Sequence, residues 1–191
     1  MTGRTHDLGA FTALTYIIVS QPLMHIGLAT TIVAFSANMI GGLMPDIDQP
    51  TADLWHKLPA GTVYSRLFTP LLGGHRFISH SIFGIVLFGF GSKFILNSAS
   101  HVLLVNMDIV WWSFMIGFLS HLILDTFTKE GVPWLFPIPI KFGIPPIKAL
   151  RIKTGGMIEK AGVFPLLLIA NFYMFYEYHL KILDFIHHYI K

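Results

Sequence analysis

The stretch "DIVWWSFMIGFLSHLILDTF", Asp108–Phe127, decides the class of fold. Its apolar character continues for about 20 residues, the length that a helix needs to cross the hydrocarbon core of a bilayer. The rest of the chain is similarly apolar, since 53% of all residues are hydrophobic and only 12% are charged. So few charged residues cannot coat a soluble domain of 191 residues. The sequence therefore predicts an integral membrane protein with a single membrane domain over residues 1–191.

Four more apolar stretches accompany this one along the chain. Two are long enough to cross a bilayer, Leu23–Met44 and Ala161–Leu180. Ile82–Leu96 is shorter and crosses if the helix continues for about one more turn. Leu8–Ser20 is too short for a straight crossing and is followed by a Gln-Pro pair, so we interpret it as a short or tilted helix. We predict an all-α, polytopic membrane protein with four to five transmembrane helices.

Basic residues predict the orientation of these helices. Most of the Lys and Arg residues lie in the N-terminal segment and in two long polar connections, Pro45–Ser81 and Thr128–Lys160. If all five helices cross, these three segments lie on the same side of the membrane. The positive-inside rule then places them in the cytoplasm. The first apolar stretch carries no cleavage pattern typical of a signal peptide, so we expect none.

Polar residues that can bind metal ions or transfer protons lie at the helix ends on that predicted cytoplasmic side. His121 and Asp125 in "HLILD" are four residues apart and therefore share a helix face. Asp46 and Asp48 in "PDID" follow the second helix, and in an extended segment they would point the same way. His80 closes "GGHRFISH", where we expect Ser79 to cap the third helix and His80 to project from its first turn. His75, five residues earlier, is then expected in a loop because that spacing separates two side chains on a helix.

Together these residues predict a metal centre built at helix ends on one membrane face. The eight candidate ligands are His6, Asp46, Asp48, His75, His80, His121, Asp125 and Glu159. Imidazoles and carboxylates bind zinc or manganese, and the chain has no cysteine to add thiolates. The four negative charges of the carboxylates among them equal the four positive charges of two divalent ions. This balance matters because an uncompensated charge in a membrane costs roughly 2.5–3.5 kcal/mol.

Such a centre suits phosphoester hydrolysis. Paired ions hold phosphoryl oxygens and activate a water molecule. Arg76, with Lys153 or Arg151, can clamp the phosphate, and Asp48 can accept the proton of that water. Each motif alone also has an ordinary interpretation: "HLILD" as an amphipathic helix end, "PDID" as a solvated turn or a calcium-loop fragment, and Glu159 as part of a helix start.

The motifs "LMPDIDQP", "GGHRFISHS", "GFLSHLILDTFTKEGVPWLFP" and "TGGMIE" resemble those of the YdjM-like family of inner-membrane proteins, described as membrane-bound metal-dependent hydrolases. That family is grouped with the zinc-dependent phospholipases C and single-strand nucleases. The resemblance runs from His6 to Glu159 and implies a metal-dependent phosphoester hydrolase in the inner membrane, with two or three zinc or manganese ions. The eight candidate ligands occupy its motif positions. Gln49 replaces a histidine and Ser79 a threonine, and if that histidine is a ligand, the count of ions falls by one.

Two classes of function remain open at this point. The first is a hydrolase that acts on a phospholipid or another lipid-linked phosphoester. The alternative is a metal-binding membrane transporter or sensor without hydrolase activity. A transport path needs ionisable residues through the depth of the bilayer, whereas here they cluster at one end, which favours the enzyme. No nucleic-acid partner is expected. The other histidines are interpreted as interfacial anchors: His25, His56, His101, His179, His187 and His188.

Overall fold

The computed structural model describes residues 1–21, 26–52, 55, 59, 61–71, 77–138 and 140–190. Its helices are α1 (Gly3–Ser20), α2 (Leu28–Leu43), α3 (Gly61–Leu71), α4 (Ile82–Ala99), α5 (Met107–Thr126), α6 (Phe164–Glu177) and α7 (His179–Ile190). Shorter segments are the 3-10 helices Met44–Asp48 and Lys148–Leu150 and the π-helix Glu159–Val163. Isolated β-bridges pair Thr128 with Ile152 and Val132 with Phe142, and no strand occurs in the described ranges. The predicted all-α class is confirmed.

Three helical segments of the described chain are long and apolar enough to cross a membrane. They are Leu28–Asp48, Ile82–Ala99 and Met107–Thr126, with 18 to 21 residues each. The predicted crossing Ala161–Leu180 is not one helix, because the π-helix before α6 shifts the register and α6 ends at Glu177. These three helices are candidate spans, and crossings by α1 and α6 stay predictions.

The closest helix packing joins α2 and α5. A Cβ atom at Gly41 would lie under 3.0 Å from the backbone oxygen of Phe114, and one at Gly117 would meet the backbone oxygen of Asn38 equally closely. Glycine at both positions therefore lets the two backbones touch. The buried Asn38 amide donates to the backbone oxygen of Ser113 at 3.0 Å and adds a polar contact to the same crossing. This crossing fixes the last turns of α2 against the middle of α5, about one turn before His121.

The remaining helices surround this pair. α1 packs on α2, α5 and α6, and the apolar core cluster centres on Phe118 and Leu122 of α5. α4 packs on α5 over a small area, with only 11% of its span buried. Phe90 and Phe94 of α4 are each 75% exposed, as expected for side chains that face lipid.

A loop-rich segment that we call the hydrophobic connection, Phe127–Ile152, lies across the ends of α4 and α5. The Ile82 amide donates to the Trp134 carbonyl oxygen at 3.0 Å, and the Ile144 amide donates to the Thr126 carbonyl oxygen at 2.8 Å. The segment folds back on itself where Val132 and Phe142 exchange two backbone hydrogen bonds. It is therefore held at the same end of the helices as the candidate ligands.

Candidate metal centre

The end of α5 supplies the centre with His121 and Asp125. Both side chains are fully buried, and His121 Nε2 lies 3.8 Å from Asp125 Oδ2, which confirms the shared face predicted from their spacing. His121 Nδ1 lies 2.7 Å from the Gly42 carbonyl oxygen, which can only accept, so Nδ1 carries the proton and donates. In the neutral ring this leaves the lone pair on Nε2, an atom that has no hydrogen-bond partner among the described residues.

The segment after α2 supplies two carboxylates that point in different directions. We predicted an extended "PDID" with Asp46 and Asp48 on one side, and this is wrong because the segment forms a 3-10 helix. Residues two apart on a 3-10 helix are rotated by about 240°, so the two side chains diverge. Asp46 Oδ1 lies 3.5 Å from His121 Nε2, whereas Asp48 Oδ2 lies 3.4 Å from His80 Nδ1.

His80 enters the centre from the segment before α4. The helix cap is Ser81, whose hydroxyl accepts from the Gly84 amide, so the predicted cap at Ser79 and the placement of His80 in the first turn are wrong. The Ser79 hydroxyl instead donates to Asp48. Burial alone would lower the pKa of His80, but the flanking carboxylates Asp46 and Asp48 outweigh it and raise that pKa above its usual value.

Four donor atoms now face one another from three parts of the chain. Asp46 Oδ1 lies 3.5 Å from the Nε2 atoms of both His80 and His121. Asp125 Oδ2 lies 3.8 Å from the same two nitrogens. In each of these four pairs the separation is near the 3.3–3.6 Å expected between ligands about 2.0–2.2 Å from a tetrahedral ion. Asp46, with 21% of its side chain exposed, is where this otherwise buried set opens toward solvent.

His6 joins the set from α1. Its ring stacks on the His121 ring with centroids 3.5 Å apart and an angle of 9° between the planes. Two imidazolium ions would repel each other at this distance, so at least one ring is neutral. His6 Nε2 lies 3.3 Å from Asp125 Oδ1, which also contacts the amino group of Met1. His6, Asp46 and His121 form one possible ligand group, and His80, His121 and Asp125 form another.

Glu159 is placed differently from the other predicted ligands. Its Oε1 accepts hydrogen bonds of 2.7 Å from the Thr2 amide, the Thr2 hydroxyl and the Thr5 hydroxyl, and its Oε2 accepts one of 2.7 Å from the Gly155 amide. Burial alone would raise the pKa of Glu159, but these donors lower it below the usual value. Neither possible ligand group includes Glu159 or Asp48. In this structure Glu159 ties the N-terminal segment to the start of the π-helix.

The predicted ligand His75 and the predicted phosphate-binding residue Arg76 fall outside the described residues. The other two predicted phosphate-binding residues make local backbone contacts. Lys153 is exposed, and its backbone oxygen accepts from the Gly156 amide. Arg151 donates to the backbone oxygens of Pro145 and Pro146.

Comparison with known proteins agrees with the apolar helices. The family profile described as YdjM inner membrane protein matches residues 1–182. The chain belongs to the YdjM family. It is also 29% identical over 180 residues to the "Uncharacterized protein YvsG" of Bacillus subtilis (strain 168), an alignment that covers 94% of this chain and 98% of the relative. No solved structure matches the chain.

In this YdjM-family protein, two contributors to the centre were missed by sequence reasoning. One is the Gly42 carbonyl oxygen, which fixes the tautomer of His121 and, as a backbone group, leaves no side-chain signal. The other is Ser79, predicted as a helix cap but directed at Asp48. The Gln49 side chain donates to the Thr51 hydroxyl oxygen at 2.9 Å.

Proposed function

We propose that this protein is a membrane-bound, metal-dependent hydrolase that cleaves phosphoester bonds of lipid or lipid-linked substrates. The observation that supports the proposal is a set of four donor atoms on Asp46, His80, His121 and Asp125. Each of the two carboxylate oxygens lies 3.5–3.8 Å from both histidine Nε2 atoms. A divalent ion held there supplies Lewis acidity and an activated water molecule. The set lies at one end of the three spans, where polar head groups of lipids are found.

The protein's own groups are arranged to orient such ligands. Hydrogen-bonded partners of ligating histidines set the ring orientation and the tautomer of metal sites. The Gly42 carbonyl oxygen plays that role for His121. For His80 the role falls to the Ser79 hydroxyl, 3.0 Å from Nδ1, together with Asp48, to which that hydroxyl donates. Asp48 is thus proposed as an orienting carboxylate that also remains a candidate proton acceptor. Arg76 and Lys153 remain the proposed phosphate-binding residues.

The number of ions follows from the sharing of His121. Because Nδ1 of His121 bonds to Gly42, its Nε2 can bind one ion only, and both possible ligand groups use this residue. We propose one ion held by the four donors. The second ion expected from the sequence would need His6 and Asp125 Oδ1, with His75 as a further ligand. Glu159 would not belong to the ligand set of either ion.

The test measures metal content and hydrolysis on the same purified samples. Wild type, Asp46→Ala and His121→Ala are purified in detergent without chelator, and bound metals are counted by mass spectrometry. His101→Ala is the matched control, since His101 is exposed in the loop between α4 and α5. Hydrolysis is followed on phosphatidylglycerol and on a chromogenic phosphodiester.

We expect at least one zinc or manganese ion per chain in wild type and in His101→Ala, and its loss together with hydrolysis in both ligand variants. Stoichiometric metal without hydrolysis of either substrate would overturn the hydrolase and favour the metal transporter or sensor. Wild-type protein without metal would overturn the centre itself.

A further inference from the structure

Two open grooves flank the turn of the hydrophobic connection formed by Trp134 and Leu135. The first has a volume of about 420 Å³, lies against the end of α5 and is lined also by Thr126 and Ile144. The second has a volume of about 400 Å³ and lies against the start of α4. Neither groove is used by the metal centre itself.

The second groove continues into the lipid-facing surface of a membrane span. Ile82 and Phe83 of α4 line it and are 50% and 53% exposed. On the connection side, Leu135 and Ile138 line it and are 46% and 50% exposed. Large apolar surfaces of this kind are rare on monomers in water and mark sites that contact membranes or ligands. Because α4 is a span, the apolar phase that reaches this groove is the acyl region of the bilayer.

The walls of both grooves are attached to the elements that carry the metal ligands. Thr126 follows Asp125 directly, and its hydroxyl accepts from Trp134 Nε1 at 3.2 Å. Ile82 lies two residues after His80, and its amide donates to the Trp134 carbonyl oxygen. A molecule seated beside Trp134 therefore lies next to the two segments that end in the centre.

Cations alternate with the apolar residues of the same connection. Lys141 stands between Ile140 and Phe142, and all three are exposed. Lys148 follows the exposed Ile147. Apolar side chains interleaved with Lys are typical of segments that lie in the interface of a membrane and attract anionic lipids.

We propose that the grooves beside Trp134 and Leu135 seat the acyl chains of an anionic phospholipid, with its head group among the cations of the hydrophobic connection and its phosphoester toward the metal centre. The orientation toward hydrolysis rests on the proposed function, whereas chain binding needs no reaction. The substrate class is then a phospholipid presented from within the bilayer, and a water-soluble phosphoester lacks the part that the grooves hold.

The experiment maps contact with acyl chains directly. The full-length protein is reconstituted in vesicles of phosphatidylethanolamine and phosphatidylglycerol that contain a phosphatidylglycerol tracer with a photoactivatable acyl chain. Crosslinked peptides are then identified by mass spectrometry. Leu135→Trp fills the space beside Trp134, and Ile138→Trp is a second variant that narrows the groove at α4. Leu104→Trp is the control, since Leu104 is 98% exposed at the other end of α4 and α5.

We expect crosslinks enriched on residues 134–144 relative to the lipid-facing Phe90. Filling the groove should lower that labelling by roughly tenfold, the effect of excluding about two methylene groups from burial. Leu104→Trp should leave it unchanged. The proposal is overturned if the hydrophobic connection is labelled no more strongly than Phe90. It is also overturned if neither Leu135→Trp nor Ile138→Trp changes that labelling in folded protein.

Hydrolysis of phosphatidylglycerol and of its chainless head group, glycerophosphoglycerol, separates this proposal from the proposed function. Groove labelling without hydrolysis of either substrate leaves the grooves supported and overturns the hydrolase. Equal kcat/KM for both substrates without groove labelling supports the hydrolase and overturns the grooves.

Discussion

Replacing Gly117 by alanine tests how the fold positions the metal centre. The new Cβ would lie under 3.0 Å from the Asn38 carbonyl oxygen, and backbone cannot move aside as a side chain can. To restore van der Waals contact, α2 and α5 must separate locally by about 1 Å. Overpacking of this kind typically destabilises by about 1–3 kcal/mol. In a chain of this size that corresponds to a fall of about 2–12 °C in the thermal midpoint.

Gly91→Ala is the matched control for this substitution. Gly91 lies in α4, and a Cβ there would meet nothing within 4 Å. Both variants gain the same intrinsic helix propensity, up to about 1 kcal/mol, so the difference between their thermal midpoints isolates the clash. The midpoints are measured in detergent by fluorescence-detected size exclusion after heating.

The same separation should weaken metal binding. It lengthens the 2.7 Å contact between His121 Nδ1 and the Gly42 carbonyl oxygen and moves Asp46 away from His121. We therefore expect the zinc affinity of Gly117→Ala to fall by about tenfold or more, as for other changes to the surroundings of a metal ligand. The reasoning is refuted if Gly117→Ala matches Gly91→Ala in both thermal midpoint and zinc affinity.

Three further predictions concern the centre and the N-terminal segment. Asp48→Asn removes the charge beside His80 Nδ1 and should lower zinc affinity about 10–100-fold in competition titrations, and an unchanged affinity would contradict its orienting role. Glu159→Gln should lower the thermal midpoint at pH 7. Because the pKa of Glu159 is lowered, its stabilisation of the fold is complete above the ordinary carboxyl pKa and disappears as pH falls through the lowered value. The thermal midpoints of wild type and Glu159→Gln should therefore converge in acid. A difference between them that does not change with pH would refute this. Chelation should lower the midpoint of wild type and zinc should restore it, with no response in His121→Ala.

The sequence predicted the parts of the fold that depend on local pattern. The α5 helix follows from the length of its apolar stretch, the shared face of His121 and Asp125 follows from helix periodicity, and both are confirmed. The 3-10 helix at Met44–Asp48 was missed because its proline-containing segment suits an extended chain equally well. As a result the separate directions of Asp46 and Asp48 were missed too.

Long-range contacts could not be predicted from local pattern. The stacking of His6 on His121 depends on how α1 packs against α5, and the bond from His121 to Gly42 depends on the crossing of α2 and α5. Nothing in the local sequence reports these distances. Glu159 was predicted as a ligand from its place before an apolar stretch, although its neighbours in space are the hydroxyl groups of Thr2 and Thr5.

The order in which the donors occur along the chain also bears on biosynthesis. Asp46 and His80 leave the ribosome well before His121 and Asp125, and the four meet only at the end of α5. A nascent chain that ends before residue 121 contains two of the four donors, and one that ends before residue 125 still lacks Asp125, so neither can hold the ion as proposed. A centre of the proposed kind is therefore complete only after α5 has been synthesised and packed against α2.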